Sequence, residues 1–244
     1  MDETIAAGQG AAPGLGPFDQ VMALLQAGGP VVVILLAMSV AALTIVLAKL
    51  WQFHAMRLSD TRTSRAVLHL YLHGNADQAL ARAGDSPHPV VRVLAAAIAG
   101  KARAGANDAL AREEALRVGG VELDHLRGWL KPLDVIAGLA PLLGLFGTVL
   151  GMIEAFRQLE SGGSQVDPSV LSGGIWVALL TTAVGLAVAM PVSAMLAWLE
   201  RRVEHVAQEM EDLSTRVFTR ELFIVAGGGQ RHDASRLRSV TAAE

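Results

Sequence analysis

Three threonines lie in stretches that are otherwise apolar, and they are the polar groups best placed to do chemistry there. Thr148 lies within residues 135–153, and Thr181 and Thr182 lie within residues 168–199; neither stretch contains a charged residue. A hydroxyl in an apolar helix can bond to a neighbouring helix, or it can offer a hydrogen bond to water, a proton or a partner side chain. Spacing alone leaves both interpretations open.

Other reactive side chains are scarce. The chain contains no cysteine, which excludes disulfides, thiolate metal sites and cysteine nucleophiles. His69 and His73 are one helical turn apart, but no third ligand for a metal stands nearby, so a surface pair is the better interpretation. No phosphate-binding loop, nucleophile elbow or zinc-protease motif occurs. We therefore expect no enzyme, no metal and no cofactor.

The composition indicates a membrane protein. Of the 244 residues, 52% are hydrophobic and 18% are charged, and the mean hydropathy is +0.42; soluble domains are about 25% charged. The formal net charge of -3 argues against nucleic-acid binding. A bilayer span takes roughly 20 apolar residues, and three charge-free stretches qualify: 30–48, 135–153 and 168–199.

Basic residues predict the orientation of these spans. Residues 1–29 and 158–171 contain no lysine or arginine, whereas residues 52–131 and the segment after the third span hold most of the chain's 20. The positive-inside rule then places the amino terminus in the periplasm and the carboxyl terminus in the cytoplasm. The first 29 residues also lack the basic segment of a signal peptide, so the first span is expected to stay in the protein.

These signals divide the chain into segments of different character. We expect a periplasmic leader (1–27), a first transmembrane helix (28–51), a cytoplasmic helical domain (52–131), a second transmembrane helix (132–157), a periplasmic loop (158–170), a third transmembrane helix (171–199), a cytoplasmic helical extension (200–225) and a disordered tail (226–244). The predicted fold class is an all-α membrane protein with three transmembrane helices and long cytoplasmic helical extensions.

Capping residues predict the helices of the cytoplasmic domain. Asn75 is placed to begin a helix that Gly84 ends. Another helix follows Pro87 and Pro89, and a third is expected to run from Asn107 directly into the second span. Leucines are expected along one face of that third helix: Leu116, Leu123, Leu126, Leu130 and Leu133.

The segment after the third span carries a heptad-like apolar stripe. Its residues recur at alternating steps of four and three: Leu199, Val203, Val206, Met210, Leu213 and Val217. This spacing predicts a helix that packs along one face. An amphipathic helix lying on the membrane is the alternative, and the mixed charge of its polar face argues against it.

Small residues share one face in each of the last two spans. In the second span they are Ala137, Pro141, Gly144, Thr148 and Gly151, with Gly147 and Gly151 forming a GxxxG pair; in the third they are Ala178, Thr182, Gly185, Ala189 and Ser193. Such faces let helices approach closely. We therefore assign helix packing to Gly144, Gly147, Gly151, Pro141, Gly185 and Pro191, where the two prolines remove backbone donors and are expected to bend their helices. The same faces could line a central space.

No acidic or basic residue lies deep within a predicted span. Asp134 and Glu154 flank the second span, and Lys49 lies near the end of the first. Charges at such positions usually anchor a helix at the interface, whereas a proton pathway normally needs a titratable group at depth. If the chain transports charge, a partner chain must supply the carboxylate.

Two long motifs resemble those of a known family. LAPLLGLFGTVLGM at residues 139–152 and GIWVALLTTAVGLAVAMP at residues 174–191 are similar to the second-span and third-span signatures of the ExbB/TolQ family of MotA/TolQ/ExbB proton channels. The order of three spans with a large first cytoplasmic loop also resembles this family, over roughly residues 20–222. MotA, with four spans, is a more distant relative.

The resemblance implies a function in the bacterial inner membrane. It implies a homo-oligomer, a pentamer in this family, around a central pore that holds the single spans of an ExbD/TolR-like dimer. Those partner spans carry an aspartate. Proton motive force would then drive a TonB/TolA-like protein that works at the outer membrane in transport or maintenance. The family's pore-facing threonines fall on Thr148 and Thr182, with Thr181 adjacent.

One position departs from the family's pattern. Many members have a glutamate directly before the Ala-Leu of the third-span motif, and this chain has Val177. A proton relay that used this acid in relatives would have to differ here. A non-conducting scaffold or assembly protein of the same fold is therefore the alternative function. The resemblance does not separate an ExbB role from a TolQ role.

Overall fold

The computed structural model describes the backbone of residues 17–58, 60–84, 86–103, 107–161 and 168–241. Over these ranges it contains seven helices and no strand: α1 (Pro17–Ala55), α2 (Thr61–Leu72), α3 (Ala76–Gly84), α4 (Pro89–Arg103), α5 (Asp108–Arg127), α6 (Leu130–Ser161) and α7 (Pro168–Thr241). Three helical stretches are long and apolar enough to cross a membrane. This confirms the predicted fold class. Much of the expected periplasmic leader and loop lies outside the described residues.

The described chain divides into two compact units. The span unit comprises the described parts of residues 1–43 and 133–194, and the short-helix unit comprises those of residues 44–132 and 195–244. Each unit draws on segments that are far apart in the sequence. The candidate site described below belongs to the span unit alone.

The span unit is built from apolar parts of α1, α6 and α7. Gly29 interrupts α1 with a positive φ of 62°, a conformation that glycine adopts without steric cost, and the apolar run begins directly after it at Pro30. A small core joins Val31, Leu35, Ala140 and Ala189. Many large apolar side chains point outward instead, among them Val40, Leu43, Leu142, Phe146 and Leu179. Apolar side chains facing outward on long apolar helices suit a lipid or protein environment rather than water.

The short-helix unit has conventional caps and a core. Asp60 caps α2 by accepting from the Arg62 backbone N–H at 3.1 Å, and Asn107 caps α5 by accepting from the Leu110 N–H at 3.4 Å. The predicted start of α3 after Asn75 and its end at Gly84 are confirmed. Buried side chains of α2 and α4 form the core: Val67, Val90, Val91, Leu94 and Ile98.

A buried lysine joins α1 to α5 within the short-helix unit. Lys49 is 2% exposed, and its Nζ donates to the Leu126 carbonyl oxygen at 3.0 Å and to Gln52 Oε1 at 2.9 Å. Leu126 lies in the last turn of α5, where unpaired carbonyls favour a cation. Lys49 therefore fixes the two helix ends together, a more specific contact than an interfacial anchor.

The expectation that the α5 helix runs directly into the second span is wrong. The chain leaves helical geometry at Gly128, Trp129 has a φ of 68°, and α6 begins at Leu130. Pro132 explains the break, because a proline ring inside one continuous helix would clash with the carbonyl four residues earlier. In the first turn of a new helix the missing N–H has no cost. Of the leucines expected along one face, Leu126, Leu130 and Leu133 are buried, whereas Leu116 is 69% exposed.

The apolar stripe of α7 is buried as predicted. Leu199, Val203, Val206, Met210, Leu213 and Val217 are each at most 5% exposed. A hydrogen bond of 2.8 Å from Ser64 Oγ to Glu209 Oε1 ties α2 to the same helix. These contacts confirm that this part of α7 packs against protein rather than lying on a membrane.

The carboxyl-terminal part of α7 differs from the sequence prediction. Residues 226–244 were expected to be a disordered tail, but α7 continues to Thr241. Extending an existing helix costs much less than starting one, because the unfavourable nucleus is already formed. Residues 230–238 also include arginine, alanine and leucine, which favour helix. The three glycines before this segment disfavour helix.

Candidate functional site

Within the span unit, α6 and α7 touch through their backbones. A Cβ built on Gly185 would lie 2.7 Å from the Ala140 carbonyl oxygen and 3.0 Å from Gly144 Cα. A Cβ built on Gly144 would lie 3.0 Å from the Thr181 carbonyl oxygen. Only glycine fits at either position without moving the facing helix. Close approach of this kind is what holds helices together where lipid removes the hydrophobic drive.

The same contact extends along both helices in steps of about one turn. A Cβ on Gly147 would lie 2.5 Å from Thr181 Oγ1, and one on Gly151 would lie 3.1 Å from Ala178 Cβ. Gly174 meets Ala155 in the same way. Sequence reasoning missed Ala140, Ala155 and Gly174, although each continues the pattern of small residues at steps of four that was recognised around them.

The three threonines have different surroundings. Thr181 is 2% exposed, and its Oγ1 lies 2.7 Å from the Ala178 carbonyl oxygen and 3.2 Å from that of Gly144. Thr182 Oγ1 also donates to the Gly144 carbonyl, at 3.2 Å, from a half-buried position. Thr148 is half-buried as well, and it donates to its own helix, to the Leu145 carbonyl at 2.6 Å.

These positions give the hydroxyls different capacities. Thr181 is enclosed between α6 and α7, with its Oγ1 in hydrogen-bond distance of a carbonyl oxygen on each helix. Thr148 and Thr182 remain partly accessible, and each hydroxyl keeps lone pairs that can accept from water or from a partner. In the single chain, therefore, the α6–α7 contact encloses Thr181 and leaves Thr148 and Thr182 partly accessible.

The two prolines of the predicted packing set lie within α6 and α7. Pro141 is half-buried and Pro191 is exposed. Each removes one backbone N–H from its helix, which leaves a carbonyl one turn earlier without its usual donor. Pro141 directly follows Ala140, whose carbonyl faces Gly185.

A cleft beside Val177 contains a carboxylate. It has a volume of about 380 Å³ and is lined by residues of α6 and α7, among them Gly151, Glu154, Gln158, Gly173 and Val177. Glu154 is exposed and its Oε1 accepts from Gln158 Nε2 at 3.1 Å. Among the described residues that line this cleft, none is a lysine or an arginine. Val177, where the family resemblance would place a glutamate, thus shares a cavity with an acidic residue of the facing helix.

Titratable side chains of the described residues form no group that would bind a metal. In the part of the chain that the structure describes, no three histidine or acidic side chains come together. The His69 and His73 rings contact each other with centroids 4.0 Å apart, and His73 Nδ1 lies 2.8 Å from the His69 carbonyl oxygen.

Fold and site define an integral membrane protein whose last two spans meet through a glycine-rich contact that carries hydroxyls. Residues 85–212 match the MotA/TolQ/ExbB proton channel family, a range that includes α6 and the span of α7. The chain belongs to this family.

Relatives of known name agree with that assignment. An ExbB homologue of Methanothermobacter thermautotrophicus, described as a biopolymer transport protein, is 30% identical over 201 residues, which are 82% of this chain and 70% of the relative. The biopolymer transport protein exbB1 of Vibrio cholerae is 38% identical over 102 residues, 38% of this chain and 45% of the relative. The Tol-Pal system protein TolQ of Haemophilus influenzae is 36% identical over 88 residues, 36% and 38% of the two chains.

Proposed function

We propose that this chain is the multi-span stator and channel subunit of a motor that proton motive force drives in the bacterial inner membrane. The observation that carries the proposal is the α6–α7 contact, which presents Thr148 and Thr182 beside a glycine-packed helix pair within the segment that matches the proton channel family. Relatives named for biopolymer transport and for the Tol-Pal system support the same function.

The proposed assembly is a homopentamer around a central pore. An ExbD/TolR-like dimer would place its single spans in the pore and supply the carboxylate, since no charged residue occurs in the apolar stretches of this chain. A TonB/TolA-like protein would carry the work to the outer membrane. The distribution of basic residues supports a periplasmic amino terminus and a cytoplasmic carboxyl terminus.

Thr148 and Thr182 are proposed to line the pore, and Thr181 to act on the helix contact instead. Replacing Thr148 and Thr182 together by valine keeps their shape and removes both hydroxyls. We expect the double variant to assemble normally and to lose proton flux when it is reconstituted in liposomes with its partner. Fluorescence of an internal pH dye after a potential is imposed measures this flux.

The matched control is Thr181→Val, which removes a hydroxyl one position away. Hydrogen bonds between membrane helices contribute about 0.6 kcal/mol on average, so this variant should be slightly less stable and should still conduct. Wild-type flux in the Thr148→Val, Thr182→Val variant would exclude both hydroxyls from the pathway. Lost flux in Thr181→Val, with assembly intact, would return that residue to the pathway.

Glu154 is proposed to replace the carboxylate that Val177 lacks. Both residues line one cleft between α6 and α7, and no basic side chain of that cleft would hold Glu154 in an ion pair. An acid there could receive protons at the outer end of the spans before they reach the partner. Glu154 would supply protons, and the partner's aspartate would serve the deeper part of the pathway.

A non-conducting scaffold or assembly protein is the second candidate function. Val177 favours this function, and so does the fact that all three threonine hydroxyls form hydrogen bonds within the chain. A scaffold would bind partners without flux. The flux assay therefore separates the two functions directly.

A further inference from the structure

Trp129 is exposed at a point where the backbone is strained. It lies between α5 and α6 with a φ of 68°, in the left-handed region, which is unfavourable for a bulky side chain. The residue is 69% exposed, so packing against the described chain does not compensate for this strain. Pro132 accounts for the break in the helix, but glycine would form the same turn at lower cost. A contact outside the described chain is therefore needed to account for the ring.

A second tryptophan ends a stripe of exposed apolar side chains on α1. Val40, Leu43, Leu47 and Trp51 follow one another at steps of three or four residues, which places them on one face of the helix. Each of them is more than half exposed. This part of α1 is long and apolar enough to cross a membrane, so the stripe suits a lipid environment. Trp51 thus stands where the lipid-facing surface of α1 ends.

One hydrogen bond joins the two segments that carry these tryptophans. Lys49 Nζ donates to the Leu126 carbonyl oxygen at 3.0 Å. Lys49 is two residues before Trp51, and Leu126 is three residues before Trp129. A chain extends by at most about 3.5 Å per residue, so the turn at Trp129 is held close to the level at which the α1 stripe ends.

The third span has a tryptophan at the corresponding end. Trp198 is 41% exposed, and the guanidinium carbon of Arg202 lies 5.1 Å from the centre of its ring. Consecutive spans run in opposite directions, so the end of the first, the start of the second and the end of the third share one side of a bilayer. Exposed cationic side chains also flank Trp129 on both sides in the sequence, at Arg127 and Lys131.

This combination favours a bilayer surface over a protein partner. An indole ring is largely apolar and has one N–H donor, so it is most stable where hydrocarbon meets water. Arginine and lysine beside it can reach the lipid head groups. A protein partner would have to cover tryptophans on three separate segments, whereas one bilayer surface meets all of them.

We propose that the turn at Trp129 is a membrane anchor, whose indole ring inserts at the head-group level of the bilayer. Contact with lipid replaces the packing that the ring lacks within the chain and offsets the strain of the turn. The anchor sets the depth at which α6 enters the membrane and keeps the charged helix α5 outside it. The proposal requires neither ion flux nor a partner chain, so its failure would leave the proposed function untouched.

The fluorescence of the ring tests the proposal in the full chain. Trp51→Phe, Trp176→Phe and Trp198→Phe together leave Trp129 as the single emitter. The protein is reconstituted in phosphatidylcholine vesicles whose lipids carry bromine either near the head group or near the chain ends, because bromine quenches only nearby indoles. We expect strong quenching of Trp129 by bromine near the head group, weak quenching by bromine near the chain ends, and only partial quenching by acrylamide in the water.

The matched control places the same ring on the exposed surface of α5. Leu116 is as exposed as Trp129, at 69%, but it lies in a helix with charged residues along its length. With all four native tryptophans changed to phenylalanine, Leu116→Trp should be quenched by acrylamide and by neither brominated lipid. Trp51 as the single emitter should behave like Trp129.

A second measurement keeps the native tryptophans in place. The chain contains no cysteine, so Lys131→Cys gives one site for a spin label beside Trp129. Oxygen concentrates in hydrocarbon and a nickel chelate stays in water, and the ratio of their effects on the label measures its depth. We expect the label at the head-group level in this variant, and a shift towards water when Trp129→Ala is added.

Any of four results would overturn the proposal. Quenching of Trp129 by acrylamide alone would place the ring in water. Protection from acrylamide and from both lipids would place it against protein, such as a second copy of this chain. Stronger quenching by bromine near the chain ends would place it in the hydrocarbon. A label at residue 131 whose depth is unchanged by Trp129→Ala would show that the ring anchors nothing.

Discussion

At the scale of single residues, surroundings decide what three similar side chains can do. Thr181 and Thr182 are neighbours that both donate to the Gly144 carbonyl, yet Thr181 is 2% exposed and Thr182 is half-buried. A hydroxyl enclosed between helices stabilises the contact, whereas one at its edge can also meet a partner. The same reasoning applies to acids: Val177 offers no carboxylate on α7, and Glu154 brings one to the same cleft from α6.

The proposed role of Glu154 predicts a change in flux. Glu154→Gln keeps the size of the side chain and its contact with Gln158 but removes the titrating group, so we expect proton flux with the partner present to fall severalfold while assembly stays normal. Glu160→Gln is the matched control, since Glu160 is an exposed acid of the same helix that does not line the cleft. Equal flux in both variants and wild type would remove Glu154 from the pathway.

At the scale of helices, glycine positions determine how closely α6 and α7 approach. Gly185 and Gly144 face backbone atoms of the other helix, which cannot rotate away as a side chain can. Gly138 is also within α6, but a Cβ there would meet nothing within 4 Å. One helix thus contains glycines that the contact requires and a glycine that it does not.

This difference predicts opposite effects on stability. Gly185→Ala forces the helices apart and should cost about 1–3 kcal/mol, the usual effect of overpacking. Gly138→Ala should leave stability unchanged or raise it by up to about 1 kcal/mol, because alanine favours helix over glycine. Unfolding in micelles, followed by circular dichroism as denaturing detergent is added, measures both. A stable Gly185→Ala protein would show that the backbone contact is looser than the structure indicates.

At the scale of the whole molecule, the chain leaves much apolar surface without a protein neighbour. Outward-facing side chains on α1, α6 and α7 include Leu47, Leu142, Phe146 and Trp176. Lipid accounts for part of such a surface in a membrane protein. The proposed pentamer and its partner spans would cover another part, because the same side chains can pack against helices as well as against lipid.

The proposed assembly predicts the mass of the complex that this chain forms with its partner. Native mass spectrometry of the detergent-solubilised chain, expressed together with its single-span partner, should give five copies of this chain with two of the partner. Expression without the partner should still give the pentamer. A partner whose intramembrane aspartate is changed to asparagine should assemble equally well and fail to conduct. A monomer or dimer that ignores the partner would rule out the stator and leave the scaffold.

Properties that depend on neighbours in the sequence could be predicted from it. The three spans follow from the length of apolar runs, the start of α3 from a capping residue, and the buried stripe of α7 from its heptad spacing. The small-residue faces of α6 and α7 are also visible as steps of four and three. Each of these is a local or periodic pattern, which the helix geometry converts directly into a face or an end.

Only the tertiary structure decided which remote residues meet. It separated α5 from α6 at Gly128 and Trp129, where the sequence predicted a continuous helix. It enclosed Thr181 but not Thr182, and it brought Lys49 to the Leu126 carbonyl. These results depend on how helices from distant parts of the chain pack and rotate against one another, and that packing has no periodic signature in the sequence.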